Sequence, residues 1–282
     1  MNTPVKYTAT YTVPSSRLDP KCRFSLDGVL SLTQDLAASH YGSGGLSIPH
    51  LQRKGLTWVI TKQHFEFSEY PLWLDTIEAA TWAKPVKGPF CYRDFTMRYA
   101  PQGKKASLGA ALAQEHSIPD QHTPLCAGTS CWMVLSLADN HPVKPDTSIF
   151  GTLPFCDDNA LPSVFPRIPL CDTWDSELYM EPTGSDIDMN QHVNNLNYVH
   201  WVVSGVPVSV MQTSLVKTLD TYFISSAKYG EKLICRLRCL EQESGMYECI
   251  HSIIRAADKS EVFRARTVWA PEAALSRELR ID

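Results

Sequence analysis

One arrangement of segments occurs twice in this chain and limits its fold more than any other feature. In each half, a strand-like run leads into a polar corner, then an apolar helix, then several more strand-like runs. The helices are predicted at residues 26–40 and from about Asn194 onward. A single apolar helix followed by antiparallel strands can bury its surface only if the sheet wraps around it. The sequence therefore predicts two domains of one plan.

The strand-like runs divide into two groups with a linker between them. They are predicted at residues 5–13, 56–67, 74–83, 90–100, 108–118 and 129–138 in the first half, and at 176–182, 216–225, 231–241, 246–256 and 261–270 in the second. The segment 140–170 contains several Pro and Asp residues and follows neither a period of two nor one of 3.6. We therefore predict domains at residues 1–140 and 173–282, joined by a linker at 141–172.

The second helix has the pattern expected of an element enclosed by a sheet. Leu196, Val199 and Val203 form one apolar stripe at helical spacing, and Tyr198 belongs to a second stripe beside it. A helix that is apolar around most of its circumference belongs inside a protein. Pro207 is expected to end or kink this helix, because proline lacks the N–H that helix continuation needs.

Composition excludes several classes of protein. The 282 residues are 44% hydrophobic and carry a net charge of only −4, which argues against a nucleic-acid binder. No apolar run is long enough for a membrane span, and no secretory signal is visible at the N-terminus, so a cytoplasmic protein is expected. The nine Cys residues form no C-x-x-C pair, so we expect reduced thiols and no metal site.

The polar corner of the second half, "TGSDIDMNQHV", is the main candidate for a functional site. Asp188, Asn190 and His192 occupy alternate positions, which in an extended chain would place their side chains on one side. They would then meet at the N-terminal end of a helix, where free N–H groups and partial positive charge can stabilise an oxyanion. Imidazole transfers protons near neutral pH, and a carboxylate can accept one.

The same residues also admit a structural interpretation. Asn194 or Asn195 can serve as a helix N-cap, and Asp186 as a turn or capping residue. A corner held together by hydrogen bonds therefore remains an alternative to a catalytic one. A calcium loop is excluded, because Gln191 stands where the loop needs Gly and Asn197 where it needs Glu.

The corner and the helix after it, "DIDMNQHVNNLNYVHWV", resemble the motif D-x-D-M-N-Q-H-V-N-N-x-x-Y of acyl-acyl-carrier-protein (acyl-ACP) thioesterases. These plant and bacterial enzymes release fatty acids from carrier protein. The first-half run "LTWVITKQHFEFSEYPLWLDTIEAATWA" is similar to the family's Trp-containing strand, Tyr-Pro turn and following strand. The resemblance extends from about Tyr7 to Ala270. It implies an α+β double hotdog fold, in which two domains of helix wrapped by antiparallel sheet are fused in one chain.

The resemblance also implies roles for individual residues. The family's catalytic Asp, Asn and His fall on Asp188, Asn190 and His192. The family has a Glu followed by a Cys on a later strand, and here those two places are occupied by Ser225 and Ser226. These serines are a candidate fourth position that can donate a hydrogen bond. A nearby carboxylate, that of Glu231, is a weaker substitute for the missing Glu.

The implied activity is hydrolysis of the thioester of fatty acyl-ACP, with free fatty acid as product and no cofactor. Asp188, Asn190 and His192 would position and activate a water molecule, and the N–H groups of Val193 and Asn194 would hold the oxyanion. The first-half corner, "RLDPKCRF", lacks the Asn and His, so that half is expected to shape the acyl pocket.

Two alternatives remain open: an acyl-CoA thioesterase of the same fold, and an acyl-binding hotdog protein without catalysis. The partner is acylated carrier protein in the leading interpretation, with no nucleic acid and no membrane span, and a homodimer is one assembly open to the chain.

Overall fold

Antiparallel strands and a long helix make up each half of the structure, a computed structural model that describes residues 3–101, 123–162 and 165–275. The chain divides into two compact units. Met1–Val59, Glu66–Pro162 and Ala273–Asp282 form the first unit, and Ile60–Phe65 and Ser163–Glu272 form the second. The predicted domain limits of 1–140, 141–172 and 173–282 stay a prediction beside this division.

The first unit has one long helix and an antiparallel sheet. Its elements are β1 (Tyr7–Thr12), α1 (Leu26–Ser43), α2 (Ile48–Arg53), β2 (Leu56–Phe67, shared with the second unit), β3 (Thr76–Ala83), β4 (Cys91–Tyr99), β5 (Cys126–Ser136), β6 (Pro142–Val143) and α3 (Thr147–Phe150). Strands pair in the order β1-β3-β4-β5, and β6 adds to β5.

Helix α1 begins with a side-chain cap and packs closely on the chain before it. The Ser25 hydroxyl accepts a hydrogen bond from the N–H of Gly28 at 3.1 Å, which satisfies one of the free donors of the first turn. Gly28 approaches the Phe24 ring so closely that a Cβ there would lie 2.4 Å from a ring carbon. The helix then buries Val29, Leu30 and other apolar side chains of its inner face.

The second unit repeats this plan. Its elements are residues 60–65 of β2, β7 (Ser176–Met180), α4 (Asn195–Ser204), α5 (Val208–Thr213), β8 (Ser214–Phe223), β9 (Leu233–Glu241), β10 (Tyr247–Arg255) and β11 (Glu261–Pro271). Strands pair in the order β8-β11-β10-β9-β7, all antiparallel.

Helix α4 packs against the concave face of this sheet. The Tyr198 ring stacks on Phe263 of β11 with 5.4 Å between ring centroids and meets Phe223 of β8 edge-on at 5.9 Å. Val202, one turn further along the helix, is fully buried. These contacts place the core of the unit between helix and sheet, as a wrapped helix requires.

The predicted elements correspond well with those of the structure. Both long helices are confirmed, and α4 ends at Ser204, shortly before Pro207, where the break was predicted. The strands start and end within about three residues of the predicted limits, except that the predicted strand at 108–118 lies outside the described residues. The short helices α2, α3 and α5 were not predicted, because four to six residues give no helical period.

The expectation that all nine thiols are reduced is wrong for one pair. Cys239 of β9 and Cys249 of β10 are joined in a disulfide with an S–S length of 2.04 Å. They are direct cross-strand neighbours in the antiparallel register, which brings their Cα atoms to 4.0 Å. Sequence spacing does not reveal this proximity, because it depends on which strands pair and in what register.

Within the described ranges, none of the helices combines the length and the apolar character that crossing a membrane would require.

Candidate active site

The polar corner of the second unit folds into a tight turn. Ile187 and Val193 form an antiparallel bridge, and inside it the N–H of Asp188 donates to the carbonyl of His192 at 2.8 Å. The five residues 188–192 therefore reverse the chain direction just before α4 begins.

The turn is organised around the carboxylate of Asp188. Its Oδ1 accepts the N–H of Asn190 at 2.7 Å, and its carbonyl accepts the N–H of Gln191 at 3.0 Å. This is the local side-chain bond that makes Asp a turn-forming residue. Gln191 has a φ of 61°, in the left-handed region that a tight reversal needs.

The expectation of an extended chain at this corner is therefore wrong, because the left-handed residue lies between Asn190 and His192. Asp188 and Asn190 are brought together by a direct hydrogen bond, and Asp188 and His192 by their backbones. All three side chains are half-buried.

Helix α4 starts immediately after the turn and is capped by Asn194. The Asn194 side chain accepts from the N–H of Leu196 at 3.0 Å, which confirms the predicted capping role for this residue. The carbonyl of Asp186 accepts the N–H of Asn194 at 2.8 Å and the side-chain amide of Asn197 at 3.1 Å. Asp186 itself caps the preceding turn through the N–H of Thr183 at 2.7 Å, as the structural interpretation predicted.

The two backbone amides proposed to hold an oxyanion are already occupied. The N–H of Val193 donates to the carbonyl of Ala227 at 3.0 Å, and that of Asn194 to the carbonyl of Asp186. Both bonds are part of how the corner is fixed to its surroundings, so these amides are not available to substrate. The prediction for Val193 and Asn194 is corrected accordingly.

The candidate fourth position lies on the loop that holds the corner. Ser225 and Ser226 directly precede Ala227, whose carbonyl binds Val193. The Ser225 hydroxyl accepts from the guanidinium of Arg255 at 3.1 Å. The carboxylate of Glu231, the weaker candidate, accepts from Nε of the same arginine at 3.2 Å. The Glu231 carboxylate is therefore engaged in an ion pair with Arg255.

Tyr198 lies on helix α4 beside the corner, and the sequence did not reveal its role there. Its hydroxyl accepts the N–H of Ala227 at 2.8 Å and so ties helix α4 to the loop. Burial raises the pKa of Tyr198 to about 12. The negative charges of Glu231 and Asp188 add to this rise, and the positive charge of Arg255 opposes it. The signal was present, since Tyr198 is the last fixed position of the family motif.

The first unit contains a second copy of this corner. Leu18 and Phe24 form the bridge, Asp19 donates its N–H to the carbonyl of Arg23 at 2.8 Å, and Cys22 adopts the left-handed conformation with a φ of 60°. Oδ1 of Asp19 accepts the N–H of Lys21 at 2.8 Å. The bridge, the backbone hydrogen bond and the carboxylate hydrogen bond of the second corner thus recur 169 residues earlier in the chain.

The two copies differ in the side chains that surround the carboxylate. Lys21 stands in the place of Asn190, and Arg23 in the place of His192. The Arg23 guanidinium binds Asp19 through Nε at 2.6 Å, and only 4% of the arginine side chain is exposed. The first corner is therefore closed by an ion pair.

The second corner is open by comparison. Within the described ranges, neither the second carboxylate oxygen of Asp188 nor the imidazole of His192 has a hydrogen-bonding partner. A carboxylate oxygen and an imidazole that have no such partner but stand on a fixed backbone can bind a water molecule and move its proton. In the same part of the chain, no group of His, Cys, Asp and Glu side chains is arranged to hold a metal ion.

Comparison with known proteins identifies the family of the chain. The family model for the acyl-ACP thioesterase N-terminal domain matches residues 4–111, and the model for the C-terminal domain of the same family matches residues 172–271. The chain is 23% identical over 283 residues to a chloroplastic palmitoyl-acyl carrier protein thioesterase of Arabidopsis thaliana, covering 94% of this chain. It spans only 62–65% of the length of this relative and of those from Gossypium hirsutum and Cuphea hookeriana.

Two solved structures share the fold. The 12:0-ACP thioesterase of Umbellularia californica superposes with a TM-score of 0.80 at 23% identity, covering 95% of this chain and 94% of the other. A putative oleoyl thioesterase of Lactobacillus plantarum gives a TM-score of 0.78 at 19% identity, covering 94% and 96%. The predicted α+β double hotdog is thereby confirmed. Because the two family models together match well over half of its length, the chain belongs to the acyl-ACP thioesterase family.

Proposed function

We propose that this protein hydrolyses the thioester of fatty acyl-ACP and releases free fatty acid. The observation that carries the proposal is the contrast between the two corners. The backbone turn and its Asp occur twice. Arg23 closes the first copy with an ion pair, whereas among the described residues the second copy leaves one carboxylate oxygen of Asp188 and the imidazole of His192 without a hydrogen-bonding partner. Folding alone does not require that difference, since the first copy folds with Arg23 in the place of His192.

The proposed reaction is attack of water on the thioester carbonyl carbon. His192 takes a proton from the water as the new C–O bond forms, and Asp188 orients the water or the imidazole. The tetrahedral intermediate then breaks its C–S bond, and the proton passes to the departing sulfur. The products are a fatty acid and the free thiol of the carrier protein.

The negative charge on the intermediate needs a donor other than the occupied amides of Val193 and Asn194. We assign this role to the side-chain amide of Asn190, whose own backbone N–H is held by Asp188 at 2.7 Å. Ser225 is a further donor candidate, since its oxygen accepts from Arg255 while its own proton can still be donated. Ser226 contributes a carbonyl to Arg255 and stays a weaker candidate.

The test compares matched substitutions in the two corners. Asp188→Ala and His192→Ala are expected to lower the rate of acyl-ACP hydrolysis by about 100-fold or more, because each removes a group that handles the proton. Asp19→Ala removes the equivalent turn-forming carboxylate from the first corner and is expected to keep most of the activity per folded molecule. Circular dichroism and thermal melting verify that all three variants are folded. Near-normal turnover in both second-corner variants would remove this corner from the chemistry.

The substrate class is open to a direct comparison. An acyl-CoA thioesterase of the same fold would hydrolyse one acyl group as fast on coenzyme A as on carrier protein, whereas the proposed enzyme prefers the carrier protein. A non-catalytic acyl binder is favoured by Ser225 and Ser226 in the place of the family's Glu and Cys. It would bind acylated carrier protein and release no fatty acid.

Assembly and location stay predictions. Light scattering of the purified protein distinguishes a homodimer from a monomer of 31.6 kDa. A cytoplasmic location is predicted from composition, while the relatives named above from Arabidopsis thaliana, Gossypium hirsutum and Cuphea hookeriana are chloroplastic. A fluorescent fusion in the source cell would distinguish the two locations.

A further inference from the structure

Arg255 ends strand β10 on the face that carries helix α4. Residues at alternate positions of a strand share a face, and Ile253, two positions earlier, is fully buried opposite Phe263, on which Tyr198 stacks. Arg255 therefore extends from the edge of the enclosed core toward the loop 225–227. Its side chain is 23% exposed, so most of the aliphatic stem is covered and the guanidinium lies at the margin.

All three nitrogens of the Arg255 guanidinium donate hydrogen bonds. Nη2 donates to the carbonyl of Ser226 at 2.6 Å, and Nη1 donates to the hydroxyls of Ser225 and Ser260, each at 3.1 Å. Nε donates to the carboxylate of Glu231 at 3.2 Å, which balances the charge. A planar fork with five donors can bind partners in several fixed directions at once.

The loop 225–227, which the Arg255 guanidinium binds, is connected by hydrogen bonds to the candidate active site. Ala227, next to Ser226, is fully buried, and both its N–H and its carbonyl are hydrogen-bonded. Its N–H donates to the Tyr198 hydroxyl at 2.8 Å, and its carbonyl accepts the N–H of Val193 at 3.0 Å. Val193 directly follows His192, so a shift of the loop moves the backbone that carries the imidazole.

We propose that Arg255 is a positioning residue for the thioester reaction: its guanidinium fixes the loop 225–227, and through Ala227 and Val193 it fixes the placement of His192. The inference rests on the proposed function and extends it to a residue outside the corner. It also gives the serines at the family's Glu-Cys position a role, since Ser225 and Ser226 are the loop residues that the fork binds.

Geometry, and not charge alone, is what Arg255 supplies. A lysine at this position would keep the positive charge beside Glu231 but could not bind Ser225, Ser226 and Ser260 in the same plane. A displacement of a reacting group by about 1 Å can lower a rate by about 100-fold. Charge and geometry are therefore separable by comparing Arg255→Lys with Arg255→Gln.

The experiment measures kcat and KM for acyl-ACP in Arg255→Gln and Arg255→Lys. Both are expected to lose about 10- to 100-fold in kcat, with KM changed by less than about 3-fold, because substrate contacts remain while the imidazole is misplaced. The matched control is Arg236→Gln, which removes an arginine of similar exposure in the same unit that pairs with Glu177 at 2.8 Å. It is expected to behave as wild type.

Hydrogen exchange supplies a readout that does not depend on activity. In Arg255→Gln the amides of residues 190–197 and 224–230 are expected to exchange at least about 10-fold faster, while strands β9 and β11 keep their protection. If the kcat of Arg255→Lys lies within about 2-fold of the wild-type value, the positioning role is overturned. Unchanged exchange of these two segments in Arg255→Gln would overturn it as well. If wild type itself hydrolyses no acyl-ACP, the proposed function fails, and exchange still decides whether Arg255 holds the corner.

Discussion

At the scale of single residues, Asp188 has a task in folding beside the one proposed for it in chemistry. One of its carboxylate oxygens closes the turn onto Asn190, just as Asp19 closes the first corner onto Lys21. What separates the two carboxylates is the side chain four positions later, which is His192 in one corner and Arg23 in the other. The guanidinium of Arg23 binds the carboxylate of Asp19, whereas among the described residues Asp188 has no such ion pair.

This comparison leads to a prediction for His192→Arg. The new guanidinium is expected to bind Asp188 as Arg23 binds Asp19, because both corners have the same backbone. Hydrolysis of acyl-ACP is expected to fall by about 100-fold or more, while the melting temperature stays the same or rises. A steady-state assay and a thermal melt on the same sample test both halves of the statement. Clear destabilisation would show that the two corners are not equivalent.

The sequence singled out Asp188, Asn190 and His192 by their alternate positions before an enclosed helix and by the family motif, and their roles in catalysis stay a prediction. The geometry of the turn was less accessible. The occupied amides of Val193 and Asn194 could not be foreseen, since their acceptors, Ala227 and Asp186, are fixed only by the tertiary fold. The left-handed Gln191 was equally hidden, because glutamine is not typical of that conformation.

At the scale of elements, the second unit carries a chain of charged side chains that enters the protein interior. His64 of β2 binds Asp220 of β8 through Nδ1 at 2.6 Å, and Arg266 of β11 binds the other carboxylate oxygen at 3.3 Å. Arg266 also pairs with Glu248 of β10 at 2.5 Å. The Asp220 side chain is 1% exposed, so its charge depends on these partners.

Asp220→Ala is therefore expected to destabilise the protein by about 1–3 kcal/mol, the usual cost of leaving a buried hydrogen-bonding group, here the imidazole of His64, without its partner. Urea denaturation followed by tryptophan fluorescence measures the change. Glu177→Ala removes a surface partner of Arg236 and is expected to cost about 1 kcal/mol or less. Equal losses in the two variants would contradict the structural importance of the buried chain.

Long elements were predictable and short ones were not, for a physical reason. Most of the strands have eight or more residues, and the two long helices show apolar stripes that persist over several turns. Helix α5 has only six residues and follows Pro207, so its sequence is too short for a helical hydrophobic period to be recognised. The Cys239–Cys249 pair depends on strand register, which the sequence constrains only through the buried face.

At the scale of the whole molecule, each unit holds a buried imidazole whose pKa is lowered, His40 in the first unit and His251 in the second. In the first unit, His40 accepts from Arg93 through Nδ1 at 3.1 Å, so the proton on Nε2 donates to the Pro4 carbonyl at 3.0 Å. Burial, followed by the positive charge of Arg93, lowers the pKa of His40 to about 4. In the second unit, burial lowers the pKa of His251 to about 3.

These two groups make stability depend on pH in a defined direction. Both folded-state pKa values lie below the unfolded value of about 6.5, so below that pH the unfolded chain binds protons that the native protein does not. Stability is expected to be complete above about pH 7 and to fall by up to about 2 kcal/mol per imidazole between pH 7 and pH 5. Urea midpoints across this range test it. His40→Gln is expected to flatten the dependence, and the exposed His141→Gln to leave it unchanged.

The duplicated corner also bears on what happens when such a protein is damaged. Since the same backbone accepts Lys21 and Arg23 in one place and Asn190 and His192 in the other, a lesion at either of the latter positions need not trigger degradation. If the proposed function holds, such a variant would stay folded and bind acylated carrier protein without hydrolysing it, and it would compete with the intact enzyme for substrate.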